Sequence, residues 1–496
     1  MKMKFIKSMI ATSALIFLYA SCSQNRLDVT PLSETEQDYY KEELHFVAAI
    51  GATYAKLGDF YWYNANNPQH QFYLLPGDDV TTDGGYPFEV FSTVEAGAGE
   101  LGYHYRSSYL LISRANTLLQ KLDDEELTKV ITTPNLKEQL RGEALFLRGH
   151  TYMYLWNYFG TAPLIDERIS SQEGITPPSS EGTQLLDQAI ADFEEAAGLL
   201  PESWPVSDNG RVTKNAANGM LGKSLVIRGS WNNSQEDYSK AITAFSKING
   251  PELVANFADN FNAATENNKE SLFEYQSGNA GDDNVWLDND DFESVGSFSA
   301  YWGFFNSHWS FWAGTPFLAT EKLANTFEDG DPRTVLTVNK EDMKFQKYWT
   351  LDQMANTGVG SLNNPRILRY ADVLLLWAEA LNETGNQAGA VEKINEVRTR
   401  ARNMDTTGVP ANRPTGSQGE VRSWIQEERF LELAGEEGHR WVDLRRWHKA
   451  GHIDLSTFDF SSRKENFSIN LPKNLYYPIP ISETDKNPNV KQNPGY

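Results

Sequence analysis

Apolar side chains recur every three or four residues over most of this chain, the spacing that lines up one face of an α-helix. In the stretch 34–57, Phe46, Val47, Ile50, Tyr54 and Leu57 fall on such a face. The same period predicts helices over 100–122, 135–159, 181–200, 213–230, 235–249, 317–328, 366–384, 387–403, 419–434 and 440–449. Two stretches break it. Residues 58–99 and 250–316 are rich in Gly, Asn, Asp and aromatic residues and read as long loops. The tail, 456–496, is irregular and holds several prolines.

Several of these helices come in consecutive, antiparallel-sized pairs. The second helix of three pairs carries a small residue four places before a bulky one: Ala189/Phe193, Ala241/Phe245 and Ala390/Ile394. The small side chain lets a neighbouring helix approach, and the bulky one fills the groove. That spacing resembles the second helix of a tetratricopeptide hairpin. The repeats are degenerate and interrupted, so the expected fold is mainly α: a tetratricopeptide-like scaffold with a loop-rich, aromatic insertion. The scaffold is assigned to 34–57, 100–249 and 317–455, and the ligand-binding insertions to 58–99 and 250–316, all within a single domain, 34–496.

Composition narrows the partners. The formal charge of −23 repels phosphate backbones and anionic headgroups, so nucleic acid is not expected and a neutral ligand is favoured. The single cysteine, Cys22, rules out an intrachain disulfide. It follows a basic start (Lys2, Lys4, Lys7), an apolar run over 10–20 and the small residues Ala20 and Ser21. This resembles a bacterial lipoprotein signal. Residues 1–21 are expected to be the signal peptide, Cys22 the lipidated residue and 22–33 a tether. A lipid chain anchors a protein to a membrane without a spanning helix.

Catalytic constellations are not evident. His448, His452 and Asp454 have ligand-like spacing, but Gly451 interrupts the helix between the two imidazoles, and no metal is expected there. The acidic stretches Gly281-Asp-Asp-Asn284 and Asp288-Asn-Asp-Asp291 lack the glycine and downstream glutamate of an EF-hand loop. No cofactor is expected; structural calcium is the one ion these loops leave open. A glycosidase needs two carboxylates across a sugar, and the adjacent Asp78 and Asp79 make a poor pair because neighbouring side chains usually diverge. The chain is therefore expected not to be an enzyme.

The aromatic insertions are the informative feature. Phe60-Tyr-Trp-Tyr63, Trp286 and the run Tyr301-Trp-Gly-Phe-Phe-Asn-Ser-His-Trp-Ser-Phe-Trp312 lie among polar, flexible residues. Flat rings stack on the C–H faces of pyranoses while nearby amides and carboxylates bond the hydroxyls. The candidate glycan-binding residues are Trp62, Trp286, Tyr301, Trp302, Trp309 and Trp312, with Asp78, Asp79 and Asn306 as polar partners.

Five blocks carry a resemblance. They are Arg141-Gly-Glu-Ala-Leu-Phe-Leu-Arg148 running on to Gly160 and Pro163; Arg211-Val-Thr-Lys-Asn-Ala-Ala217; Asp329-Gly-Asp-Pro-Arg333; residues 366–382 followed by 394–401; and 428–433 with 438–447 and the proline-rich tail to Tyr496. In this order they resemble the SusD/RagB family of outer-membrane nutrient-binding lipoproteins. The charges in these blocks (Arg369, Glu379, Arg398, Glu428, Arg429, Glu432, Arg440, Asp443 and Arg445) suit ion pairs between neighbouring helices. The resemblance implies a lipid-anchored protein of the outer membrane, facing the exterior. It also implies a partner, a SusC-like TonB-dependent transporter, to which captured oligosaccharide is delivered. The family's ligand residues lie in variable loops, so none is carried over. The same scaffold admits capture of peptides or other nutrients, and a polysaccharide-degrading enzyme or a purely structural scaffold are further readings.

Overall fold

The computed structural model describes residues 39–64, 67–68, 71–84, 86–170, 172–276, 317–348, 363–460 and 467–496, without the side chains of 62–64, 67–68 and 172–173. Among the described residues ten long helices build the scaffold: α1 (Glu43–Ala55), α2 (Gly99–Asp123), α3 (Leu136–Phe159), α4 (Gln184–Leu199), α5 (Lys214–Asn232), α6 (Gln235–Phe245), α7 (Tyr370–Glu383), α8 (Gln387–Arg402), α9 (Gln418–Glu432) and α10 (His439–Lys449). From α2 to α9 each helix packs on the next, α1 lies on α2 and α3, and α10 returns onto α5. This is the tetratricopeptide-like stack the pairing of helices predicts. Every residue of α3 from Gly142 to Phe159 is buried, so this helix is wrapped on all sides and forms the axis of the core.

Polar caps define where these helices begin. Thr213 and Ser234 accept backbone N–H bonds at the starts of α5 and α6, and Ser417 with Glu420 forms a reciprocal capping box on α9. Within the pairs, the small-then-bulky spacing does what its pattern implies. Ala189, Phe193, Ala241, Phe245, Ala390 and Ile394 are all fully buried. Phe193 meets Gly149 of α3, and Phe245 meets Gly222 of α5, where an added Cβ would sit 2.2 Å from the ring. Gly222→Ala is therefore expected to cost about 1–3 kcal/mol by overpacking. Trimming the ring in Gly222→Ala/Phe245→Leu should return part of it, as read from urea unfolding midpoints.

Three boundaries differ from the sequence reading. The stretch 366–369 is not helix but strand β8 (Arg366–Arg369), paired antiparallel with β4 (Ser271–Glu274). Its four residues are all buried, so a short continuous run of buried positions carries no period that tells strand from helix. The stretch 317–328 splits into β5 (Leu318–Ala319) and a short helix, Glu321–Thr326, capped by Thr320. Residues 58–99, expected as loops, contain β1 (Trp62–Asn64), β2 (Asn67–Pro68), β3 (Val80–Thr81) and one-turn helices at Gln71–Leu74 and Pro87–Val90. Phe60, Phe72, Tyr73, Val80, Phe88 and Phe91 from this stretch are core residues. Their apolar positions follow no single period because the chain changes direction every few residues.

The family-like charges lie inside the scaffold. Arg369 bonds Glu270, Glu432 and Glu436; Arg333 bonds Asp331, Glu428 and Glu432; Arg400 bonds Glu270 and Glu432. Arg398 reaches Glu428, and Lys347 reaches Glu436. A second cluster joins Arg429 to Asp372 and Asp443, and Arg446 to Asp443 and Glu379. Burial opposes the charge of Glu432, but Arg400, Arg369 and Arg333 outweigh it and hold the carboxyl below its ordinary range. Arg445 departs from the expected pairing: it donates to the Leu475 carbonyl and lies against the rings of Trp441 and Tyr476.

Candidate functional site

The two insertions, far apart in sequence, are stitched together where they leave the scaffold. Tyr61, just before β1, meets Tyr275, just after β4, with ring centroids 6.1 Å apart. At the other end β3 pairs with β5, Val80 opposite Ala319 and Thr81 opposite Leu318. Thr320 reinforces this pairing: its hydroxyl donates to the Asp78 carbonyl at 2.7 Å and its N–H to the Asp79 carbonyl at 3.0 Å. On the far side of β5 stands β7 (Lys344–Phe345), itself paired with β6 (Val338–Asn339). The chain thus lies beside the first insertion at Tyr275 and again at Leu318–Ala319.

Of the residues expected to meet a ligand, Trp62 opens β1, its backbone opposite Pro68. Trp286, Tyr301, Trp302, Asn306, Trp309 and Trp312 lie outside the described residues, as do both acidic stretches considered for calcium and Cys22. The two aspartates are corrected. Asp78 and Asp79 are 2% and 3% exposed, which leaves no carboxylate surface for a sugar hydroxyl. Asp78 is gripped by Arg440 of α10, at 3.1 Å from Nη2, and by Lys322 at 2.8 Å. Burial raises its pKa, but these cations prevail and bring it down to about 2. Asp79 accepts the Gly435 N–H at 2.8 Å through Oδ2, while burial and the Asp78 charge carry its pKa up to about 6. Proton affinities this far apart are what an acid/base pair needs. The pair is sealed, however, and ties the first insertion to α10 and to the return of the second. His448 and His452 are likewise engaged with the scaffold: His448 accepts the Leu455 N–H at 3.3 Å and His452 lies 4.0 Å from Glu383.

Behind Tyr61 sits a half-buried acid. Glu437 accepts from the hydroxyls of Tyr61 (3.2 Å) and Tyr154 (3.0 Å), and its burial lifts its pKa to about 7 despite those bonds. It borders a cavity of about 20 Å³ together with Asn157, Lys223 and His439, room for about one water molecule. Glu437 therefore fixes the first insertion from below.

A cleft of about 240 Å³ opens at the foot of the insertions, between α1, the turn at Asn209–Arg211 and the end of β4. Tyr54, Leu57, Tyr275 and Gln276 line it. Arg211 forms one wall, stacked 3.8 Å over Trp204 and bound through Nε and Nη2 to Glu143. The sequence reading passed over this cleft. Its traces in the sequence are Tyr54 and Leu57, on the apolar face of the first helix, and Arg211, within a family-like block.

Helix pairs stacked in chain order define a tetratricopeptide-like scaffold protein. A family model described as "SusD family" matches residues 148–496, and one described as "Starch-binding associating with outer membrane" matches 32–225. Among relatives, SusD-like protein P2 of Formosa agariphila is 27% identical over 526 residues, covering 99% of this chain and 100% of that protein. A SusD-like protein of Bacteroides ovatus is 25% identical, covering 90% of this chain and 83% of its own length. Among solved structures, a SusD superfamily protein from Bacteroides vulgatus has a TM-score of 0.71 at 24% identity, covering 92% of this chain and 100% of that one. Two others score 0.72: a "Laminarin binding SusD-like protein" (22% identical, 92% and 100% covered) and "Surface glycan-binding protein A" from Bacteroides fluxus (23%, 92% and 99%). All share this fold. This chain belongs to the SusD family. Among the described residues no helix is long and apolar enough to cross a membrane.

Proposed function

We propose that this protein is a glycan-binding surface lipoprotein. It is anchored through Cys22 in the outer membrane, captures oligosaccharides and hands them to a SusC-like TonB-dependent transporter. The observation that carries this reading is a SusD-family scaffold whose two aromatic-rich insertions meet at Tyr61 and Tyr275, with the first insertion also paired, through β3, to β5 just after the second. The names of two structural neighbours, one laminarin-binding and one a surface glycan-binding protein, support the ligand class. The chain's charge of −23 favours a neutral glycan, such as starch, β-glucan, xylan or mannan, over a polyanion. The chemistry is capture: rings stack on sugar faces, amides take hydroxyls, and no bond in the ligand is broken.

Calorimetry and affinity electrophoresis against those four polysaccharides test it. At least one is expected to bind, and Trp302→Ala and Trp312→Ala are each expected to weaken binding about tenfold or more, roughly 1.4 kcal/mol. A wild-type protein that retains none of them overturns the carbohydrate reading, and binding to peptides instead selects peptide capture. New reducing ends from a labelled polysaccharide would make the protein an enzyme. The partnership is read separately, by co-purification of a TonB-dependent transporter from solubilised outer membranes, and the anchor by release of Cys22→Ser from them.

A further inference from the structure

Asparagine followed by glycine is a reactive pair, because a glycine nitrogen unshielded by a Cβ can reach the asparagine side-chain carbonyl carbon. Three such pairs occur in this chain: Asn209-Gly210, Asn218-Gly219 and Asn249-Gly250. The fold holds them differently. Asn218 lies inside α5, 1% exposed, with its side-chain nitrogen donating to the Lys214 carbonyl at 2.9 Å. Gly219 beside it is packed on Leu368, which an added Cβ would meet at 2.7 Å, so this pair has no room to turn. Asn249 is exposed, but the Asn215 side chain clamps its backbone, accepting its N–H at 3.1 Å and donating to its carbonyl at 2.9 Å. Asn209 is exposed in the turn before α5. Among the described residues its side chain, its carbonyl and the Gly210 N–H make no hydrogen bond.

We propose that Asn209 is a site of spontaneous deamidation, with the Gly210 nitrogen as nucleophile and water as co-reactant, and that its iso-aspartyl product loosens the turn. Asn209 rests at φ −60° and ψ 138°, which leaves the Gly210 nitrogen out of line with the side-chain carbon. The peptide plane between them is tethered at neither end and can rotate to bring it round, and Gly210, at φ +98°, tolerates the change. Solvent base takes the Gly210 N–H proton, the nitrogen bonds to Cγ of Asn209, and the side-chain nitrogen leaves as ammonia. Water then opens the cyclic imide. Attack at Cγ leaves an ordinary aspartate at position 209. Attack at the backbone carbonyl leaves iso-aspartate, with the main chain rerouted through the side chain and a methylene longer. The sum is water consumed and ammonia released, with no change of oxidation state. The longer backbone matters here because the turn is closely packed. A Cβ on Gly210 would sit 2.5 Å from Gln276, Arg211 holds Glu143 at 2.8 Å and Asp208 at 3.2 Å, and the Val212 N–H bonds the Tyr54 hydroxyl at 3.0 Å. Iso-aspartate displaces this run and weakens the tie between α1, α3 and the start of α5.

The test is ageing. Full-length protein is incubated folded at pH 7 and pH 9, and unfolded in urea at pH 9, then digested and mapped by mass spectrometry. Iso-aspartate is counted with an iso-aspartyl methyltransferase. In the folded protein the peptide holding Asn209 is expected to shift first by the mass of an NH2-to-OH exchange, and faster at pH 9. The peptide holding Asn249 should lag behind it, and the one holding Asn218 should stay unchanged. In urea, where the fold no longer separates the pairs, all three should convert at similar rates. Aged wild type is expected to melt a few degrees lower, in step with its iso-aspartate content. Asn209→Ser, which has no amide to lose, should keep its melting temperature. If Asn209 stays intact in the folded protein after the urea sample has converted, or if Asn218 keeps pace with it in the fold, the site is overturned. Modified protein that melts with the fresh sample overturns the loosening of the turn.

Discussion

Arg369→Ala is expected to lower the unfolding free energy by about 3–5 kcal/mol, because it strands buried carboxylates rather than removing one contact. Arg369 is 1% exposed and bonds Glu270 at 2.7 Å, Glu432 at 2.9 Å and Glu436 at 2.6 Å. The buried members of the network around it are balanced: Arg333, Arg369, Arg398, Arg400 and Lys347 face Asp331, Glu270, Glu428, Glu432 and Glu436, with the more exposed Glu328 at its edge on Arg398. Deleting one cation leaves net negative charge in a medium that solvates it poorly. Urea unfolding at pH 7 measures the loss. Lys240→Ala, which breaks an exposed pair with Glu236 on α6, should leave the midpoint where it was. If both variants unfold at the wild-type midpoint, the network does not hold the strand β8 to α9 as described. Since β8 pairs with β4, which belongs to the second insertion, damage here should also loosen that insertion's hold on the scaffold.

The second large effect is acid sensitivity from His104 and His150. Both rings are fully buried, and none of their four nitrogens has a hydrogen-bond partner. They sit among Phe60, Phe72, Tyr154 and Phe159, with His150 stacked 4.5 Å from Tyr154. Burial lowers each pKa from 6.5 to about 3, with Lys223 and His104 adding to the effect at His150. The sign follows from proton counts. Between 6.5 and 3 the unfolded chain binds a proton at each ring and the folded one does not, so stability falls as pH falls through this window. Above 6.5 neither state is protonated there, and the term vanishes. Each ring is thus expected to cost about 2 kcal/mol at pH 5 relative to pH 8. Glu437, Glu266 and Asp79, whose pKa values are raised to about 7, 7 and 6, act in the opposite direction over an overlapping range. The bare pH profile therefore mixes both signs. The difference between wild type and His104→Leu/His150→Leu isolates the histidines. The double variant should gain on wild type by about 4 kcal/mol between pH 8 and pH 5, measured by urea unfolding at each pH. A constant difference across that range would mean that the rings are not held neutral.

Much of the scaffold was legible without coordinates because helices report themselves locally. The predicted 135–159, 387–403 and 440–449 stand beside the observed Leu136–Phe159, Gln387–Arg402 and His439–Lys449. Ala241 and Phe245 announced a helix pair because the groove they fill lies four residues along one face, a distance the sequence counts directly. Arg369, Arg429 and Glu432 read as paired charges because Arg and Glu in quantity need partners when they are buried.

What the sequence by itself determined is the set of long helices, their pairing into a stack and the concentration of aromatic residues into two insertions, since periodicity and composition are local properties. The tertiary structure alone decided the rest. Arg366–Arg369 became a strand because β4, nearly a hundred residues earlier, offered backbone partners. Asp78 and Asp79 turned from ligand candidates into an internal clamp because Arg440 and the Gly435 N–H, more than 350 positions away, arrive beside them. The cleft at the foot of the insertions exists only where α1, the turn at Asn209–Arg211 and Gln276 converge. Contacts of that kind depend on where distant segments are brought together, and burial and pairing free energies act on that arrangement, which no window of sequence contains.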